Sequence, residues 1–466
     1  MKKRLYFLLC LVFIGSCTQN KPTDVIVLKN ATIYNGKGDI LKNGIIIIQG
    51  GGIIAIGDKT EIIPKGAEII DITGKFVTPG LIDAHIHFAQ TGFFDARPNI
   101  IDLRGYFDFD ELQDDLKNNP QSYYDAYLRC GVTGVYDVGG FLWSITRQKE
   151  AEDNHTSPHV AAAGPLLSGV EETRLDYFNT SDAKQMVYLS SPEMGRETVR
   201  QHCKLGSTGI KIWGIILQDS SFMKSLRAVA DETHLQNNRL IVHATNLDQA
   251  KEALRLGAKI LVHSVEDKEV DEEFLQLALK NDIIYLPTIT VTRGYLEAFN
   301  SLKEKLNFDD VHKAMDARAK SFLATSTTYL DKLPNDFNLE ERINLFEDLC
   351  KKTEPIMMLN LKKVHASGIR VAVATDAGNP GTFHGVSIYD EMEIMQKAGI
   401  EPKDIIVMAT QNGAMAMDRA DDFGVLEKGK FANLIILEKD PAIDIANFRS
   451  ITHVMRTGVL NPIYNE

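Results

Sequence analysis

Between Arg239 and His263 the chain writes out one complete strand–helix–strand unit, and no other stretch narrows the fold as much. Arg239-Leu240-Ile241-Val242-His243 is a short, β-branched apolar run. Asn246 can cap a helix, Asp248 favours its first turn, Ala250 to Leu256 continue it, and Gly257 suits the position just past its end. Lys259-Ile260-Leu261-Val262-His263 is the second strand. The same grammar recurs at 131–137, 209–213, 283–287 and 371–376. Such units repeated over about 340 residues predict an α/β fold, a (β/α)8 TIM barrel with insertions. A doubly wound open sheet is the alternative, but its phosphate-binding glycine fingerprint is not evident.

In a barrel, polar residues at strand C-termini line the active site. Here they are His85, His87, His243, His263 and Asp376, with Lys211 inside its apolar run. The stretch Thr78-Pro79-Gly80-Leu81-Ile82-Asp83-Ala84-His85-Ile86-His87 delivers two histidines at i and i+2, which a strand turns to one face. One His-x-His pair is weak evidence by itself. Imidazoles from several strands plus a carboxylate make a nitrogen and oxygen donor set for divalent metal. Ammonium cannot ligate a metal, so from the residues alone Lys211 reads as a buried or snorkelling lysine.

The flanks are different. Residues 24–72 hold short β-branched runs punctuated by Asn-Gly, Gly-Lys-Gly and Gly-Gly-Gly, and a matching piece returns at Ala432 to Leu437 and Ile451 to Gly458. Both chain ends are therefore expected to build one small antiparallel β-sandwich, 24–80 with 424–466, around a barrel at 81–423. Lys2-Lys3-Arg4, the apolar run from Leu5 to Ile14 and then Gly15-Ser16-Cys17 resemble a bacterial lipoprotein signal. Residues 1–16 would be the signal peptide, 17–23 a polar tether, and Cys17 the lipid anchor of a secreted, membrane-attached protein. Cys130, Cys203 and Cys350 offer no disulfide framework or metal pattern and read as buried thiols. Net charge is −12 with no long basic block beyond the first four residues, which argues against nucleic acid.

Motifs along nearly the whole chain resemble the amidohydrolase superfamily, in its imidazolonepropionase-like and Xaa-Pro dipeptidase-like branch. They are Pro79 to His87, Gly131-Val132-Thr133, Ile210-Lys211-Ile212, Val242-His243-Ala244, Val262-His263-Ser264 and Thr375-Asp376-Ala377-Gly378. His384-Gly385, Glu391, Met408 to Ala414 and Gly424 to Leu434 follow. The resemblance implies one or two divalent metal ions, zinc foremost. His85 and His87 would bind the inner ion, His243 and His263 the outer one, and Lys211, carboxylated by carbon dioxide, would bridge them. Asp376 would be both ligand and proton acceptor from the attacking water, with His263 or the metal facing the oxyanion. A mononuclear site of His85, His87, His243 and Asp376 stays open.

The implied activity is hydrolysis of a C–N bond in a small molecule such as a dipeptide or N-acyl amino acid. Cyclic amide or lactone hydrolysis and hydrolytic deamination are alternatives on the same fold. Deaminases of the superfamily carry Glu three residues after the fifth-strand histidine, where this chain has Asn246. A binding lipoprotein on a retired barrel would have lost ligands, and none is lost. His384 is a candidate substrate contact, and Tyr136, Arg174, Trp213 and Tyr285 are candidate pocket residues. The acidic pair Glu266-Asp267 reads as a solvated face. The polar, helix-prone stretch 296–363 is expected either to cover the site as a lid or simply to pack.

Overall fold

The computed structural model describes residues 24–58, 60–306 and 308–463. The signal peptide, Cys17 and the rest of the tether lie outside the described residues. Among the described residues no helix is long and apolar enough to cross a membrane.

Both chain ends meet in one sheet. Val25–Tyr34, Ile40–Gln49, Gly52–Gly57, Glu68–Asp71 and Phe76–Pro79 join Leu434–Leu437, Ile451–Arg456 and Val459–Pro462. The link between the ends is the antiparallel pairing of Phe76–Pro79 with Leu434–Leu437. The strands form one hydrogen-bonded network that is mixed rather than wholly antiparallel as expected, because Val25–Tyr34 pairs in parallel with both Glu68–Asp71 and Phe76–Pro79. Alternate residues of its long strands feed two apolar clusters, Leu28, Ile46 and Ile48 on one side and Val25, Val27, Ile45 and Ile47 on the other. Gly50 and Gly51, with φ of 57° and 82°, close the hairpin between the second and third strands as a two-residue turn that demands positive φ.

The middle of the chain alternates strands and helices. Parallel pairing runs through Leu81–Ile86, Val132–Asp137 and His159–Ala162 in one sheet. It runs through Leu166–Ser168, Ile210–Trp213, Leu240–His243, Ile260–Val262, Ile284–Leu286 and Arg370–Val371 in another. Hydrogen bonds cross both borders between these sheets. Ala84 N donates to Val373 O (2.9 Å) and Asp376 N to His85 O (2.8 Å), while Thr208 N donates to Ala162 O (3.0 Å). The expected cap is present, with Asn246 Oδ1 accepting from Asp248 N and Gln249 N, and Gly257 just beyond the helix at φ 81°.

Side chains one apart on these strands enter different cores. Ile82, Tyr136, Ala161, Ile241, Ile260, Ile284 and Ala372 share an inner cluster. Leu81, Val135, Val160, Val242, Leu261, Tyr285 and Val371 belong to a larger cluster that includes the helices. Lys211 sits between two residues of the second set, so it points inward and is buried.

The stretch 296–363 is helical, in Val291–Ser301, Ala317–Thr325 and Leu339–Ala366. Its aromatic face packs on the loop after the first parallel strand, joining Phe299, Phe322 and Tyr329 to Phe93, Phe94, Ile101 and Leu103. Cys130, Cys203 and Cys350 are free, and only Cys130 is fully buried.

Asp83 ties the first of these strands to the last segment. Its carboxylate accepts from Thr375 Oγ1 (2.6 Å), Thr375 N (3.0 Å) and His85 N (3.3 Å), all in the interior. Replacing it with alanine orphans three buried donors. Asp83→Ala should therefore cost about 3 kcal/mol in urea unfolding at unchanged m-value. A loss below about 1 kcal/mol would show that the strands do not depend on this bridge.

Candidate metal centre

Parity along the strands does not by itself aim the histidines inward. Leu81 faces the helix layer and Ile82 and Ala84 the inner core, yet Ile86 faces the helix layer again. The pairing register to Val132–Asp137 slips between Asp83 and Ile86. This irregularity lets His85 and His87 follow Ala84 inward. His263 has the same problem, since Val262 already points inward. Its φ of 73°, a left-handed value rare for a residue with a side chain, re-aims it. Asp376 (φ 58°) and Thr288 (φ 45°) share that conformation.

His85, His87, Lys211, His243, His263 and Asp376 all line one cavity of about 240 Å³. Three ligand atoms cluster tightly within it. His85 Nε2 and His87 Nε2 are 3.2 Å apart, and Asp376 Oδ1 lies 3.3 and 3.0 Å from them. His263 Nε2 is 4.0 Å from Asp376 Oδ2. The His243 ring centroid is 4.5 Å from that of His263. Only His85, His87 and Asp376 stand within mutual ligand reach; His243 and His263 form a second pair beside them.

Burial favours the uncharged form of three of the imidazoles, the form that ligates metal. Burial lowers the pKa of His85 and His243 well below the usual imidazole value and that of His263 to about 4. Burial also brings Lys211 down to about 7. For Asp376 burial works against ionisation, but the imidazoles of His85, His87 and His263 outweigh it and hold the carboxyl well below the usual range. His87 Nδ1 donates to Gly139 O (2.6 Å), so in the neutral ring Nε2 is a bare lone pair. It faces Asp376 Oδ1, a buried oxygen that no hydrogen bond satisfies. Two lone pairs at 3.0 Å repel unless a proton or a metal cation lies between them. The residues therefore fit a divalent ion.

Residues outside the donor set hold it in place. His263 Nδ1 is 2.6 Å from Thr288 Oγ1. The loop that carries Thr288 is pinned by buried Glu391, which accepts from Ile289 N and Thr290 N at 3.0 Å each and from Thr290 Oγ1 at 2.9 Å. Asp83, Thr288 and Gly139 had no role in the sequence reading, because nothing local marks a residue whose partner is 25 to 292 positions away.

Other expectations are corrected. His384 does not line the cavity. Its Nε2 donates to Gln90 O (2.9 Å), its Nδ1 accepts from the Tyr127 hydroxyl (2.7 Å), and its ring stacks on Phe88. It supports the backbone of Gln90, which does line the cavity. Of the aromatic candidates, only Trp213 lines it; the hydroxyl of Tyr285 accepts from Val265 N (3.0 Å), and Tyr136 is buried in the inner core. Arg174 lines a neighbouring cavity. Glu266 is on the cavity wall rather than a solvated face, whereas Asp267 is exposed as expected and accepts from Leu247 N (2.9 Å).

Residues 76–460 match the profile of the amidohydrolase family. The chain belongs to that family. Among curated proteins it is 23% identical over 420 residues to an imidazolonepropionase of Fusobacterium nucleatum, covering 86% of each. It is 22% identical over 442 residues to a 5'-deoxyadenosine deaminase of Methanosarcina acetivorans, covering 89% of this chain and 84% of that protein. Among solved structures, a Xaa-Pro dipeptidase with bound methionine in its active site superposes with a TM-score of 0.71 at 22% identity, covering 94% of this chain and all of that one. Aspergillus niger ochratoxinase superposes with a TM-score of 0.68 at 19% identity, covering 95% and 96%. The family places the chain among metal-dependent hydrolases acting on C–N bonds.

If the Thr288 contact orients His263 as a ligand, Thr288→Val should lower metal affinity by about 10- to 100-fold, the usual cost of removing a ligand's partner. Chelator competition on the purified protein measures this. A change below about twofold would detach Thr288 from the metal centre.

Proposed function

We propose that this amidohydrolase cleaves an amide or peptide-like C–N bond of a small substrate. The observation that carries the reading is the bare contact of His87 Nε2 and Asp376 Oδ1 at 3.0 Å beside His85, in a cavity whose other histidines are neutral. His85, His87 and Asp376 would hold one divalent ion, with zinc the favoured metal for this donor set. His243 and His263 would hold a second. Lys211 would bridge the two as a carbamate; its burial and lowered pKa supply the neutral amine that reacts with carbon dioxide. The two parallel sheets, hydrogen-bonded across both borders and sharing one inner core, are read as a (β/α)8 barrel with this centre at its strand ends.

When bound, the metal lowers the pKa of water toward neutrality and polarises the scissile carbonyl. The chain supplies the rest. Asp376 is an ionised carboxylate in the interior, able to take the proton of the attacking water and pass it to the leaving nitrogen. His263, its Nδ1 steadied by Thr288, would keep Nε2 turned to the second ion. Deamination, the activity named for one relative, is disfavoured because the Asn246 side chain is committed to capping its helix. Lactone or cyclic amide hydrolysis uses the same machinery and belongs in any substrate screen.

Asp376→Asn should lower kcat by about a thousandfold or more on whichever dipeptide, N-acyl amino acid or lactone the metal-loaded protein hydrolyses, with thermal unfolding nearly unchanged. Retained activity would remove Asp376 from the proton path. We also propose that the mature protein is held at a membrane through lipid on Cys17. Cys17→Ala should then move it from the membrane to the soluble fraction, and an unchanged distribution would sink the anchor.

A further inference from the structure

The cavity wall carries two charges that the metal centre does not use. Arg97 lies on the loop after Leu81–Ile86, half-buried. Its guanidinium donates only to neutral amide oxygens, those of Asn379, Gln90 (3.2 Å) and Asn99 (3.0 Å), and it sits over the Tyr295 ring at 5.9 Å. Glu266 lies on the loop after Ile260–Val262, also half-buried, with its backbone N donating to Thr245 O (2.8 Å). Among the described residues no carboxylate lies within ion-pair distance of Arg97 and no cation within that of Glu266. The two do not pair with each other although they line one cavity. A partly buried charge without a counter-ion costs free energy, and a ligand of opposite charge recovers it.

The two charges are also anchored to different loops around the donor cluster. Arg97 is tied through Asn379 to the loop after Asp376, on the side of the first and last strands. Glu266 is tied through Thr245 to the loop after His243, on the side of the second histidine pair. A ligand that satisfies both must carry an anion at one end and a cation at the other, and must lie along the cavity that also holds the donors.

We infer that Arg97 and Glu266 select a substrate with free termini, an unblocked dipeptide, and discriminate against N-acyl amino acids. This rests on the C–N hydrolase reading above. Arg97 receives the carboxylate of the C-terminal residue, and Glu266 the ammonium of the N-terminal residue. That orientation sets the leaving nitrogen on the Asp376 side, where the proton is delivered. Water oxygen bonds to the carbonyl carbon, the C–N bond breaks, the water's proton goes by way of Asp376 to the nitrogen, and two free amino acids leave.

The test uses the full-length, metal-loaded protein and the ketomethylene isostere of alanyl-alanine, which cannot be hydrolysed. Calorimetry compares it with its N-acetyl and C-terminal amide forms, beside turnover of alanyl-alanine itself. N-acetylation should weaken binding about tenfold or more in the unaltered protein and less than about twofold in Glu266→Gln; amidation should do the same relative to Arg97→Gln. The unaltered protein's ligand series carries the test even if one variant fails to fold. No binding of the parent isostere, indifference to either blocking group, or an equal loss for all three ligands in the variants would overturn the inference. Charge-selective binding without cleavage of alanyl-alanine would instead overturn the hydrolase reading and leave the recognition intact.

Discussion

The bond between Asp83 and Thr375 is the interaction on which the site depends. It joins the first parallel strand to the segment that ends in Asp376, across 292 residues of sequence. With the backbone bonds from Ala84 N to Val373 O and from Asp376 N to His85 O, it fixes His85 and His87 relative to Asp376, one side of the donor cluster coming from each segment. The cost of burying Asp83 is high, and burial pushes its pKa up to about 7. Three hydrogen bonds offset that cost. The same device recurs at Glu391, also raised to about 7 by burial, which pins the loop carrying Thr288. Two buried carboxyls thus brace the donor set from opposite directions.

Around these braces the backbone is strained where the chemistry sits. His263, Thr288 and Asp376 all adopt left-handed φ without being glycine. Each such residue costs about 1 kcal/mol or more, which packing elsewhere must cover. The return is direction. Strand alternation offers only two faces, and a ring of donors drawn from several strands needs side chains aimed between them. The slipped register at Asp83 to Ile86 serves the same end by another route.

Much of this was legible from the residues. The unit from Leu240 to Val262, its Asn246 cap and its Gly257 terminator are local features, and local features dominate short helices and their ends. The six candidate donors do line one cavity, because strand C-termini of such units converge at one end. Illegible were the features that depend on pairing across the chain. His384 looked like a substrate contact because it follows the Asp376 strand closely, yet both its ring nitrogens are taken by Tyr127 and Gln90. Glu266 looked solvated like its exposed neighbour Asp267 because charge patterning cannot see which side of a loop meets a cavity. Flanking strands that suggested antiparallel pairing throughout include parallel pairs, since alternation reports faces but not partners.

The sequence by itself determined which elements form, where the chain's two ends match, and which side-chain chemistries stand at strand ends. Those depend on residue type and short-range spacing. Only the tertiary structure decided which donors stand within reach of one another, which lone pairs are left bare, and which charges remain without partners on the cavity wall. These are distances between residues far apart in the chain, and they exist only once Asp83 has closed the first strand onto the last.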